Sequence, residues 1–145
     1  MARDVFHGIV KEALINNGWQ ITDDPLVLVS KKDGGIETDL GAEKIIIAEK
    51  GLTKIAVEVK SFLNPSPIND FHSALGQYMT YLDVMEMKEI DRIMYLAMPF
   101  EVYTFLSTKP YFRYVIEKHK VRFILFEPTT KIIEEWIDEQ FYNKQ

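Results

Sequence analysis

The spacing of apolar residues along this 145-residue chain changes several times, and these changes restrict the folds that the chain can adopt. Residues 6–14 and 68–87 carry apolar side chains at spacings of three and four, the period of an amphipathic helix. Between and after them lie short apolar or β-branched runs of strand length. These runs are residues 19–21, 26–29, 45–48, 53–60, 93–98 and 121–126. A chain that mixes both periods in this order is expected to be an α/β protein.

Turn residues separate these segments. Gly18 is a natural left-handed cap for the first helix, and further turns are predicted at residues 23–25, 31–35, 50–51 and 64–67. Two shorter helices fit residues 101–106 and 111–118, whereas residues 131–137 fit either a helix or a short last strand. No repeat, low-complexity tract or linker divides the chain. We therefore predict one domain over residues 1–145, with a mixed central sheet flanked by helices.

Composition excludes several functional classes. The chain has no cysteine, so disulfide frameworks, zinc fingers, thiol nucleophiles and iron–sulfur clusters are ruled out. Its net charge is −5, which is unlike a protein that coats nucleic acid non-specifically, but is compatible with an enzyme that has a small acidic centre. No apolar stretch approaches the roughly 20 residues needed to cross a bilayer. A cytoplasmic protein without membrane partners is expected.

Common catalytic motifs are missing from the sequence. There is no glycine-rich phosphate loop, no Gly-x-Ser-x-Gly and no His-Glu-x-x-His. His7, His72 and His119 are far apart and lack the spacing of metal ligands, so they are expected to be structural or exposed.

The acidic residues carry more information. On a strand, the side chains at positions i and i+2 emerge from the same face. In Glu58-Val59-Lys60, this places the carboxylate and the ammonium group on one face. The same pattern recurs in Glu86-Met87-Lys88, where the helix runs out. The first copy lies in a β-branched strand and follows Asp39 after 18 intervening residues. A hairpin that turns at residues 50–51 would bring Asp39 and Glu58 side by side.

Two convergent carboxylates repel each other unless a cation lies between them. Asp39, Glu58, the backbone carbonyl of Val59 and waters would form a hard oxygen site suited to Mg²⁺ or Mn²⁺. Lys60 would then position the hydrolytic water or stabilise the charge on phosphorus. The alternative is structural: Asp39 bonds to turn amides, while Glu58 and Lys60 form an exposed salt bridge.

Asp39, the 18-residue gap and Glu58-x-Lys60 resemble the PD-(D/E)xK motif of nucleases with the restriction-endonuclease-like fold, although Thr38 replaces the proline. That resemblance implies a further metal-binding glutamate on the first helix, where Glu12 matches. It also implies a role beside the lysine for Gln77, since Gln77 and Tyr81 are similar to the Gln-x-x-x-Tyr element of RecB-type nucleases. The structural alternatives are an exposed helix glutamate for Glu12, packing on the long helix for Gln77 and a core or helix-edge aromatic for Tyr81. Endonucleases of this fold often cut duplexes as dimers, and a homo-oligomer is accordingly expected.

Longer blocks resemble a narrower family, XisH. The similar blocks are residues 39–44, 56–62, 65–71 and 74–78. The resemblance implies a controlling factor for excision of a DNA element in cyanobacteria. The implied partners are DNA, a small XisI-like protein and a site-specific recombinase. Two functions remain open: a metal-dependent DNA endonuclease, and a non-catalytic regulatory factor that acts through such partners.

Two other segments have a structural and a functional interpretation. The basic residues 118–122, with Arg113 ahead of them, are typical of a solvated helix end but could also contact phosphate. Lys31 and Lys32 lie in the turn before the predicted site. The aromatic side chains of residues 103–114 fit core packing or a subunit interface.

Overall fold

The computed structural model describes residues 2–46 and 51–144. The helices are α1 (Ala2–Asn16), α2 (Pro67–Met87), α3 (Phe100–Leu106), α4 (Pro110–Lys118) and α5 (Glu139–Asn143). The strands are β1 (Gln20–Asp23), β2 (Leu26–Val29), β3 (Ile36–Thr38), β4 (Leu40–Ile46), β5 (Gly51–Val59), β6 (Ile93–Pro99), β7 (Phe123–Glu127) and β8 (Ile132–Ile137). Among the described residues, none of the helices is long and apolar enough to cross a membrane.

A six-stranded mixed sheet runs through the molecule in the order β1-β4-β5-β6-β7-β8. The β4–β5 and β7–β8 pairs are antiparallel, whereas β5, β6 and β7 are parallel to one another. The parallel connections pass through helices, as strand–helix–strand units require. A separate antiparallel pair, β2–β3, forms a small second sheet. The predicted mixed sheet with flanking helices is therefore confirmed.

Two hydrophobic clusters cover the two faces of the large sheet. On one face, Val10 and Leu14 of α1 pack with Val57 and Val59 of β5. On the other face, residues of α2, α3 and α4 pack with Ala56 and with alternate positions of β6 and β7. Because side chains alternate along a strand, Glu58 is on the same face as Ala56 and lies beside α2.

Local signals explain where the helices that frame the site begin and end. Gly18 follows α1 with a φ of +94°, the left-handed conformation expected of a glycine cap. Pro67 is the first residue of α2, and the Ser66 side chain accepts a hydrogen bond of 3.3 Å from the Asn69 amide. The serine at the cap satisfies one of the unpaired amides of the helix start, and proline at the first helical position removes another because it has no N–H.

The structure settles one prediction that was left open and contains elements that were not predicted. Residues 131–137, which fitted a helix or a strand, contain β8. Strands β3 and the first half of β4 were not predicted, because Leu40-Gly41-Ala42-Glu43 lacks the β-branched residues that mark strands. The short helix α5 was also missed. The predicted strand at 45–48 and turn at 50–51 lie partly outside the described residues: 45 and 46 belong to β4, and Gly51 begins β5.

Candidate active site

Asp39 lies in the bend between β3 and β4 and is 2% exposed. The register of the β4–β5 pair places Leu40 opposite Val57, so the residue before Leu40 reaches the end of β5. There, the Val59 amide donates a hydrogen bond of 2.8 Å to Asp39 Oδ2. Antiparallel pairing thus brings Asp39 beside Glu58-Val59-Lys60, as the hairpin interpretation predicted.

Glu58 and Lys60 project to one side of the end of β5. Val57 and Val59 point to the opposite side and are buried in the α1 cluster. Glu58 is 8% exposed, and its Oε2 atom lies 3.6 Å from Lys60 Nζ. The Lys60 amide donates to the Ala97 carbonyl at 2.9 Å, which extends the backbone pairing beyond β5. The pair is therefore not a fully exposed salt bridge of the kind that the structural alternative assumed.

The two carboxylates and the ammonium group open into one cavity of about 470 Å³. Gln77 and Tyr81, one turn apart on α2, form part of its wall. The Gln77 Oε1 atom is buried and has no hydrogen-bond partner within the described part of the chain. A buried amide oxygen without a partner costs free energy, and such atoms in native proteins often mark a place for water, an ion or a ligand.

Acidic groups outnumber basic groups in this cavity. Of the described residues, Glu37, Asp39 and Glu58 contribute carboxylates, and Lys60 contributes the ammonium group. Carboxylates in this excess repel a phosphate group and attract a cation, especially where Asp39 and Glu58 are shielded from solvent. The electrostatics of the cavity therefore favour a divalent cation over an anion alone.

The donor set is compatible with Mg²⁺ or Mn²⁺. No group of three or more His, Asp or Glu side chains that could hold a metal occurs among residues 2–46 and 51–144. Mg²⁺ does not need such a group, since it is usually held by one or two carboxylates and keeps several waters or phosphate oxygens. Asp39 and Glu58 are the carboxylates, and Val59, which lines the same cavity, is the residue that would add a backbone carbonyl.

Glu12 lies apart from the other predicted site residues. It is exposed on α1, and its Oε2 atom lies 3.6 Å from Lys131 Nζ. Among the described residues that line the cavity, Glu12 is not present. The predicted set Asp39, Glu58, Lys60 and Gln77 is brought together, whereas Glu12 forms an exposed ion pair outside it.

The basic segments differ in their distance from the cavity. Lys31 and Lys32 lie in a short 3-10 helix between β2 and β3, and residues 35–37 of the same hairpin form a wall of the cavity. By contrast, Lys118 is in the last turn of α4, and Arg122 Nη2 donates to Glu139 Oε1 at 2.8 Å. Lys118 therefore occupies the position of a helix-end cation, and Arg122 forms an ion pair with the first residue of α5.

The structure adds a histidine that the sequence analysis treated as structural or exposed. His7 Nδ1 lies 3.6 Å from Asp39 Oδ1, and His7 Nε2 lies 2.7 Å from Asp24 Oδ1. Lys11 Nζ donates to the other oxygen of Asp24 at 2.7 Å. Helical spacing places His7 and Lys11 on one face of α1, but no local pattern indicates that Asp24 and Asp39 lie opposite that face.

Opposing effects act on the Asp24 carboxyl. Burial alone would raise its pKa, but the hydrogen bonds from Lys11 and His7, together with their electrostatic attraction, outweigh burial and hold the pKa below its ordinary value of 3.8. Asp24 is therefore an anion at neutral pH that accepts hydrogen bonds from both side chains.

Comparisons with known proteins identify the family and the solved structures that this chain is similar to. The family described as XisH protein matches residues 1–134. A crystal structure of an FdxN element excision controlling factor protein from Anabaena variabilis is 39% identical, with a TM-score of 0.80 over 94% of this chain and 100% of that one. An XisH family protein from Nostoc punctiforme PCC 73102 is 37% identical, with a TM-score of 0.80 over 93% of this chain and all of that one. No curated protein matches the chain significantly.

Proposed function

The chain belongs to the XisH family, and we propose that it is an excision controlling factor that hydrolyses phosphodiester bonds of DNA with a divalent metal ion. One observation carries the proposal. Asp39 and Glu58, from segments far apart in sequence, are both largely buried in one cavity, with Lys60 beside them. Such an acid–acid–lysine group is the pattern by which the chain resembles PD-(D/E)xK nucleases, and we infer the restriction-endonuclease-like fold with it.

Asp39 and Glu58, with the carbonyl of Val59, would hold Mg²⁺ or Mn²⁺. When bound, such an ion polarises a phosphate oxygen and lowers the pKa of a bound water. The hydrogen bond from the Val59 amide to Oδ2 holds one of the two oxygens of Asp39 for this task. The position of that oxygen therefore does not have to be established when the cation binds, which reduces the reorganisation needed in the site.

Lys60 and Gln77 would act on the water and the phosphate. The Lys60 ammonium group lies on the same side of the strand end as Glu58 and lines the cavity, where it can donate to a water or stabilise negative charge on phosphorus. The buried Gln77 Oε1 atom is an acceptor that can orient the Lys60 ammonium group or that water.

The surroundings of the cavity favour a polymer as substrate. Three neighbouring depressions share wall residues with it. One continues through residues 35–37 toward Lys31, one through Lys60 and Ser61 toward Asn64, and one through Gln77 and Tyr81 along α2. A nucleic acid strand can occupy these adjoining depressions on both sides of the bond that is cut. A single nucleotide would not extend into them.

The test is cleavage of supercoiled, linear, single-stranded and branched DNA with Mg²⁺ or Mn²⁺. We expect the wild-type chain to cut at least one of these forms and Asp39→Ala to abolish cleavage without unfolding the protein. Asp83→Ala, which removes an exposed acid from α2, is the matched control and should cut normally. Wild-type protein that cuts none of the four forms with either metal would refute the enzymatic proposal.

A second function is favoured by different observations. The net charge of −5 disfavours tight association with DNA. In addition, Phe105, Tyr111 and Tyr114 on α3 and α4 are exposed, and aromatic side chains are enriched at protein interfaces. On this second proposal, the chain is a non-catalytic factor that acts with a small XisI-like protein and a site-specific recombinase.

Excision of a DNA element in a reconstituted system separates the two functions. If the chain is catalytic, Asp39→Ala should lose excision and still co-purify with the partner proteins. If the chain is regulatory, Asp39→Ala should support excision fully, and Tyr114→Ala, which removes an exposed aromatic ring, should reduce co-purification.

A further inference from the structure

A line of polar contacts connects the surface of α1 to the buried carboxylate of Asp39. Lys11 Nζ donates to Asp24 Oδ2 at 2.7 Å, and Asp24 Oδ1 lies 2.7 Å from His7 Nε2. The other ring nitrogen, His7 Nδ1, lies 3.6 Å from Asp39 Oδ1. The chain thus places one imidazole ring between two carboxylates that come from different segments.

The two edges of the ring have different contacts. At 2.7 Å from an ionised carboxylate, Nε2 is the donor, because a carboxylate can only accept. This hydrogen bond and the Lys11–Asp24 pair fix the plane of the ring. The Nδ1 edge then borders Asp39 on its Oδ1 side, while the Val59 amide holds Oδ2 from the other side. The Asp39 carboxylate is consequently bordered at both oxygens.

We propose that His7 is a positioning residue for Asp39, and that Asp24 and Lys11 hold the His7 ring in place for this purpose. The inference rests on the proposed function, in which Asp39 binds the metal ion. Partners behind a metal-binding group orient it, and their loss typically lowers metal affinity by about 10–100-fold.

Helix α1 contributes to the site through His7 and not through Glu12. At 3.6 residues per turn, His7 and Glu12 point in directions about 140° apart around the helix. His7 therefore reaches Asp39 while Glu12 extends to Lys131. The first helix contributes an imidazole behind the carboxylate instead of an additional carboxylate.

Conservative variants separate the two edges of the ring. An asparagine at position 7 places its amide near the former Nδ1, and a glutamine places its amide near the former Nε2. We expect His7→Ala and His7→Gln to weaken Mn²⁺ binding by about 10–100-fold, and His7→Asn to weaken it less. Titration calorimetry with MnCl₂ on the full chain measures the affinity, and urea unfolding measures stability separately.

His119→Ala, which removes an exposed histidine at the end of α4, is the matched control and should leave Mn²⁺ affinity unchanged. The positioning role is overturned if His7→Ala binds Mn²⁺ within about twofold of wild type while wild type binds well. It is also overturned if Asn and Gln at position 7 weaken Mn²⁺ binding equally.

If wild type binds no Mn²⁺, that result counts against the proposed function and not against the positioning role of His7. Metal-free crystal structures of wild type and His7→Ala then test the positioning role. In His7→Ala we expect the Asp39 carboxylate to rotate while the Val59 amide bond to Oδ2 is lost or lengthened. An Asp39 side chain that keeps its wild-type orientation without His7 would refute the positioning role on its own.

Discussion

Glu58-Val59-Lys60 and Glu86-Met87-Lys88 have the same order of residue types but lie in different surroundings. The first ends a central strand, and both of its charged side chains line the cavity, with Val59 only 6% exposed beneath them. The second ends helix α2, where Met87 is 73% exposed. There, Lys88 turns away to donate to the Leu28 carbonyl at 2.9 Å. On a strand, positions i and i+2 share a face, whereas on a helix they do not.

The largest difference between the triplets is expected in catalysis. Glu58→Gln removes a carboxylate from the proposed metal site, and the loss of several kcal/mol of charge stabilisation should lower kcat/KM for DNA cleavage by about 10³-fold. Glu86→Gln, the same change on the exposed helix end, should leave cleavage within about twofold. Cleavage rates with Mn²⁺ check both variants, and equal rates would show that the position of Glu58 has no catalytic importance.

The middle residues should differ in stability. Val59→Ala removes two buried methyl groups and leaves a cavity against α1. This should lower the free energy of unfolding by about 2 kcal/mol. Met87→Ala changes an exposed side chain and should alter it by less than about 0.5 kcal/mol. Urea unfolding of the two variants measures the difference. A cost for Met87→Ala that matched that of Val59→Ala would imply that Met87 is covered in solution.

Removal of the two lysine side chains should affect different properties: Lys88 contributes to stability and Lys60 to cleavage. Lys88→Ala removes the hydrogen bond to the Leu28 carbonyl and should lower the free energy of unfolding by about 1 kcal/mol, with cleavage unchanged. Lys60→Ala should instead show its main effect on cleavage. Both variants are assayed for unfolding and for cleavage, and Lys88→Ala protein that lost cleavage would contradict the separation.

The smallest effect concerns pH. Because the folded-state pKa of Asp24 is below its ordinary value of 3.8, its contribution to stability is complete above that value and disappears as the pH falls through the folded-state pKa. Asp24→Asn should therefore lower the free energy of unfolding at pH 7 by less than about 1 kcal/mol, and by less still at pH 3.

Lys88→Ala is the control for that measurement, since it removes a hydrogen bond to the Leu28 backbone carbonyl, a group that does not titrate. Its cost should be equal at pH 3 and pH 7. Urea midpoints at the two values decide the matter. A constant cost for Asp24→Asn would show that the ionised Asp24 contributes nothing to folding.

Much of the fold could be predicted because helix and strand signals are local. The 3.6-residue period marked α1 and α2, and the β-branched run marked β5. Strand β3 and the start of β4 gave no such signal, since three residues are too short for a period and Gly41 and Ala42 have weak strand preference. These elements form because β5 and β2 supply their hydrogen-bonding partners.

The candidate site was partly predictable for the same reason. Strand alternation alone places Glu58 and Lys60 on one side, and a hairpin alone brings Asp39 near them. The position of Glu12 was inferred only from a resemblance, and the sequence could not indicate that it would extend to Lys131. Nor could it indicate His7, whose partners Asp24 and Asp39 follow it by 17 and 32 positions.

Local sequence patterns are sufficient to predict the segments that form α1, α2 and β5 and the side of β5 on which Glu58 and Lys60 lie. The sequence also carries the XisH resemblance. Three features depend on packing between distant segments: Asp39 is buried, Gln77 and Tyr81 form a wall beside it, and His7 of α1 lies behind it. The physical reason is that periodicity is set by neighbours along the chain. Contacts between distant segments depend instead on how the two hydrophobic clusters pack α1 and α2 against the sheet.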